Sequence, residues 1–150
     1  MPTIIPLSNE ERLSTGFSHK VIITQPDLTT AGTAQNITLA SLSEGQFVTR
    51  TGYKLITDFA SANGTGLTVS IGNGSSNTAY QAAKELQATE VDYWFSQLNT
   101  APPTGAADQV GETETVFARF TTSGGTSPLL TEYTAGEVHI FLGVCDVKKL

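Results

Sequence analysis

The stretch Glu137–Asp146, EVHIFLGVCD, alternates from end to end. Val138, Ile140, Leu142 and Val144 fall on one face, while Glu137, His139, Phe141, Gly143 and Cys145 fall on the other. A repeat of two is what a pleated strand needs when one face meets a core and the other meets water. The stretch predicts a half-buried antiparallel strand.

The same pattern recurs upstream. GLTVSIG (66–72) sets Leu67, Val69 and Ile71 against Thr68 and Ser70, and ETVFARFT (114–121) sets Val116, Ala118 and Phe120 against Phe117 and Arg119. GYKLITDF (52–59) places Tyr53, Leu55, Thr57 and Phe59 together, and HKVIITQ (19–25) and QNITLA (35–40) are shorter runs of the same kind. Ser and Thr make up about a quarter of the chain and suit the polar faces of strands, where β-branched Thr is favoured. Only TAYQAAKELQ (78–87) reads as a helix, from its content of Ala, Gln, Lys, Glu and Leu. The segments 99–109 and 122–128 read as loops by their Pro and Gly content. Short strands at regular spacing, separated by Gly, Asn and Ser turns, predict an all-β antiparallel β-sandwich. Its expected form is jelly-roll-like, with at most one or two short helices; a barrel is the alternative.

The inward sets supply one core, each fully buried Val, Leu, Ile or Phe contributing about 1.5–3 kcal/mol. That gives a single domain over 18–150. Residues 1–17 do not join its pattern. Pro2 and Pro6 flank Ile4 and Ile5, and the polar SNEERLSTG follows. Proline removes a ladder donor and favours extended backbone. Two readings stay open for this N-terminal arm: a loose tail, or an extended arm that docks Ile4 and Ile5 on a neighbouring subunit.

The net charge is −6, with eight Lys and Arg scattered along 150 residues. No basic stripe is present, which disfavours binding to nucleic acid. No run approaches the ~18–20 apolar residues of a membrane-spanning helix, so no membrane partner is expected. The first residues carry neither the basic region nor the apolar core of a secretory leader, which predicts synthesis in a cytoplasm. Cys145 is the only cysteine, so no intrachain disulfide can form.

Chemistry-bearing patterns fail one by one. After strand 66–72 the chain reads Gly72-Asn73-Gly74-Ser75-Ser76-Asn77. A P-loop needs a Lys that does not come until Lys84, and Asn77 stands where the dinucleotide pattern needs its last glycine. Asn73-Gly74 instead suits a tight turn whose two central residues have positive φ. The sequons at Asn36, Asn63 and Asn73 matter only in a secreted eukaryotic protein. His19 and His139 lie on different strands with no metal-ligand spacing, and GTSPL lacks the second glycine of a nucleophile elbow. Glu112 and Glu114 read as a solvated strand face. The sequence thus predicts no catalytic residue, no metal and no cofactor.

The aromatic residues raise a different question. Tyr93, Trp94 and Phe95 are consecutive, so a strand separates Trp94 from its neighbours. Trp94 either completes the core or enters a subunit interface, where aromatics are enriched. Phe117 and Phe141 both fall on otherwise polar faces. Were their strands adjacent, the two rings would form one apolar patch in need of cover. The candidate subunit or capsid contacts are Ile4, Ile5, Trp94, Phe117 and Phe141.

Asp27-Leu28-Thr29-Thr30, the strand Tyr53 to Phe59, the segment Leu67 to Gly74 and the closing Ala135 to Asp146 together resemble a group of tailed-bacteriophage virion proteins. In that group a DLTT opening precedes a Y.L.T.F strand, an L.V.IG.G hairpin and a closing AGEV.IFL.V.D strand. The likeness spans most of the chain beyond residue 17 and contains no catalytic signature. It implies a small head decoration (cement) protein that is not an enzyme. Such a protein would bind the major capsid protein of the assembled lattice, and itself as a dimer or trimer, on the outer surface of the virion. The competing class is a phage tail or receptor module that binds carbohydrate on the same sandwich, which would call for an exposed aromatic platform.

Overall fold

A computed structural model describes residues 1–87, 93–97, 113–124 and 128–149, with 93–97 described through their backbone. The chain forms nine described strands: β1 (Thr3–Pro6), β2 (His19–Thr24), β3 (Ala34–Leu42), β4 (Gln46–Ser61), β5 (Gly66–Gly72), β6 (Gln81–Glu85), β7 (Tyr93–Gln97), β8 (Glu114–Ser123) and β9 (Tyr133–Asp146). One α-helix, α1 (Asn9–Thr15), lies among the described residues. Every pairing is antiparallel, and the strands divide into a sheet of order β1-β2-β9-β4-β7 and a sheet of order β3-β8-β5-β6.

Without β1, each sheet has four strands, and the chain crosses between them so that β2 pairs with β9, β3 with β8 and β4 with β7. This nested order is that of a jelly roll. The fold is an all-β antiparallel sandwich, as the alternation predicted. Val138, Ile140 and Leu142 of β9, Val21 and Ile23 of β2, and Leu67, Val69 and Ile71 of β5 are all fully buried. Val116, Ala118 and Phe120 of β8 join them, and Phe59 of β4 meets Phe120 across the sandwich at 6.2 Å between ring centres. Period-two sequence has become one two-sided core.

Three expectations need correction. Residues 78–87 are not helical: β6 pairs Gln81 with Ile71 and Glu85 with Thr68, and Leu86 N donates to Leu67 O at 2.7 Å. Burying Tyr80, Gln81 and Leu86 beside β5 outweighs the modest helical preference of Ala, Lys and Glu. Asn73-Gly74 is not a two-residue turn either, because Gly74 is not among the positive-φ glycines and the connection from β5 to β6 runs from 73 to 80. Glu114 is not solvated. It is buried and accepts a 2.9 Å hydrogen bond from the Tyr80 hydroxyl; Glu112 lies outside the described residues.

The loop after β5 also disposes of the phosphate-cradle reading. Asn73 Oδ1 accepts from both Ser75 N and Ser76 N, at 3.0 and 2.9 Å. Amides that could have faced an anion are committed to a buried side chain. Gly72 is needed here because a Cβ would collide with the backbone of Ser76 and Asn77.

Candidate functional site: the N-terminal arm and its seat

Residues 1–16 contain no buried residue, yet they are ordered by local chemistry. Pro2 and Pro6 keep the first segment extended. β1 then adds to the free edge of β2 with the pairs Thr3–Ile22, Ile4–Val21, Ile5–Lys20 and Pro6–His19, continued by Leu7 N donating to Ser18 O at 3.1 Å. The arm is thus not extended throughout. Ser8 closes a capping box with Glu11, and α1 runs to a left-handed cap at Gly16. The two hydrogen bonds from Ser8 hold the exposed Glu11 carboxyl below the usual carboxylate range.

None of the arm's side chains up to Gly16 is buried, although Ile4 shares a sheet face with its inward partner Val21 and borders a groove with Asp27, Asn36, Ile37 and Thr38. Ile4 is 54% exposed, Leu13 is 89% exposed, and Ile5 is half-buried. Beyond β1 the arm touches the body at two places. At its tip the Met1 ammonium lies 2.8 Å from Asp27 Oδ1, in a carboxylate whose side chain is 3% exposed. Thr24 N and Oγ1 donate to the other oxygen of Asp27 at 2.8 and 3.0 Å. Burial acts to raise the Asp27 pKa, but the ammonium and the Thr24 bonds outweigh it and hold the group below its ordinary value.

The second place is the root. Phe17 is buried and tilts against Phe141 with 5.6 Å between ring centres, while the Arg50 guanidinium lies 5.7 Å above the Phe17 ring. Arg50 also donates to the Thr15 carbonyl. Gly143 makes room for this crossing, since a Cβ there would sit 2.6 Å from Gly16 O. Sequence reasoning did not find Phe17 or Arg50, and it met Asp27 only as part of the Asp27–Thr30 resemblance, not as the seat of the arm. The only signals were the aromatic that follows Gly16 and the Thr24-x-x-Asp27 turn spacing.

The five candidate contacts are therefore dispersed. Ile4 and Ile5 share β1, and Phe141 lies under the root of the arm. Phe117 lies on the other sheet, since β8 pairs with β3 and β5 while β9 pairs with β2 and β4. The strands of Phe117 and Phe141 do not pair, so the condition for a joint patch is not met, and Phe117 is itself only 8% exposed. Trp94 is in register with Tyr53 on β4, and its side chain lies outside what is described. Among the described residues no group of three His, Cys, Asp or Glu could hold a metal ion, and no helix is long and apolar enough to cross a membrane. His19 is held below its ordinary pKa, chiefly by burial. The chain matches no protein-family model, no curated protein and no solved structure.

Proposed function

We infer that this protein is a non-enzymatic structural component of a phage virion, which decorates the head by binding the assembled lattice of the major capsid protein. The observation that carries this reading is the division of labour in the chain. A jelly roll with a closed apolar core bears an arm, residues 1–17, none of which belongs to that core cluster. An arm ordered by caps and edge pairing, with Ile4 and Leu13 in water, is a contact element awaiting a surface. The resemblance of Asp27–Thr30, Tyr53–Phe59, Leu67–Gly74 and Ala135–Asp146 to virion proteins supports the same reading.

A protein that binds the assembled shell and not its free subunits adds stability to the shell by mass action. Purified heads lacking the protein provide the test. Full-length chain is expected to bind them and to raise the temperature at which they open. A variant lacking residues 1–17 is expected to lose most of its occupancy. Failure of the full-length chain to bind any head would overturn the proposal, and equal occupancy by the truncated chain would remove the arm from it.

A further inference from the structure

We propose that the N-terminal arm exchanges between copies, so that β1 of one molecule occupies the β2 edge of another. The closed form in the structure supplies both halves of this contact. Every copy carries the strand Thr3–Pro6 and the edge His19–Thr24 that receives it. The receptor therefore fits the arm of a second copy as well as its own, down to the seat for the terminal ammonium at Asp27.

Three features favour exchange. First, what release gives up is short and is regained on exchange: the arm leaves one edge pairing and the ammonium's contact with the buried Asp27 carboxylate, and it uncovers none of its own side chains from a core. Second, the segment between strand and root is a preformed spacer. α1 carries its own capping box and a left-handed cap at Gly16, and none of its residues is buried, so moving it uncovers no core surface. Third, the root is fixed independently of the strand by the Phe17–Phe141 contact and the Arg50 bond to Thr15. An arm that pivots on a fixed root through a segment without core contacts can reach outward without unravelling the domain.

The reciprocal form satisfies the same backbone groups as the closed form, so the balance rests on concentration. Copies held side by side on any support see one another at high effective concentration, which shifts the balance toward exchange. The inference concerns the isolated protein and does not depend on the capsid reading.

Ile5 and Lys20 face each other across β1 and β2 and neither is buried, which suits a cysteine pair. In the full-length chain carrying Ile5→Cys, Lys20→Cys and Cys145→Ser, samples are equilibrated concentrated or after roughly hundredfold dilution and then oxidised quickly. Exchange predicts disulfide-linked dimers or closed oligomers whose share falls severalfold on dilution, above the level given by Lys20→Cys alone. Intrachain disulfide only, at both concentrations, overturns the proposal. As a check free of cysteines, unmodified protein is expected to show a concentration-dependent oligomer by light scattering that vanishes on deletion of residues 1–7. An unmodified chain that stays monomeric, or an oligomer that survives the deletion, also overturns it.

Discussion

Inside the sandwich, the Tyr80 hydroxyl donates to Glu114 Oε1 at 2.9 Å, joining the end of the β5–β6 loop to the start of β8. Both residues are buried, with Tyr80 3% and Glu114 8% exposed. Removing the donor leaves a buried carboxyl without that partner, which costs about 1–3 kcal/mol. Tyr80→Phe is therefore expected to lower the urea midpoint without changing the slope. Pairing it with Glu114→Gln should recover part of the loss, and strict additivity of the two would argue against a direct coupling.

Tyr80 also sets an alkaline limit. Burial, and then the hydrogen bond to the nearby Glu114 carboxyl, push its pKa above the ordinary tyrosine value; burial also raises Tyr53 and Tyr133. A raised folded pKa gives stability that is complete below the unfolded pKa, near 10, and is lost as pH climbs past it. Unfolding free energy should fall steadily above pH 10, and by less in Tyr80→Phe. A flat profile over that range would count against a neutral buried phenol.

Acid acts at the tip of the arm. The Asp27 carboxyl, lowered by Thr24 and the Met1 ammonium against the opposing effect of burial, stabilises the fold above the ordinary carboxylate range. That contribution disappears as pH drops through the depressed folded value. Asp27→Asn should lower stability at pH 7 by about 1–2 kcal/mol and flatten the curve below pH 4. Identical acid limbs for the variant and the parent would refute the assignment.

The reach of the sequence ended where side chains act across long separations. Leu67-Val69-Ile71 and Val138-Ile140-Leu142 announced their strands because alternation is local, and all six are fully buried. β6 was missed because its content of Ala, Lys and Glu favours a helix, while its structure is decided by Gln81 and Glu85 pairing with β5. The arm's seat was missed for the same reason. Phe17 and Phe141 are 124 residues apart, and no spacing rule links them. Which sheet β8 and β9 would join was equally invisible, so whether Phe117 and Phe141 could share a patch stayed conditional until the topology answered it.

The hairpin after β5 offers a test of backbone crowding. Gly72→Ala drives a methyl into the Ser76–Asn77 backbone and is expected to cost about 1–3 kcal/mol. Gly74→Ala meets nothing within 4 Å and should be close to neutral. Thermal melts of the two variants side by side would decide it; equal losses would contradict the geometry.

The position of β9 carries a consequence for biosynthesis. It lies between β2 and β4, pairing His19 with Leu142 and Phe47 with Cys145, so the earliest and latest strands of the domain are neighbours. On the ribosome, β2 and β4 emerge with the space between them empty, and the edges they turn toward each other have no partner strand until β9 has been made. Contacts of such wide separation fold slowly, on the scale of milliseconds to seconds. A nascent chain stalled before residue 133 would present two orphan edges to whatever protein lay nearest.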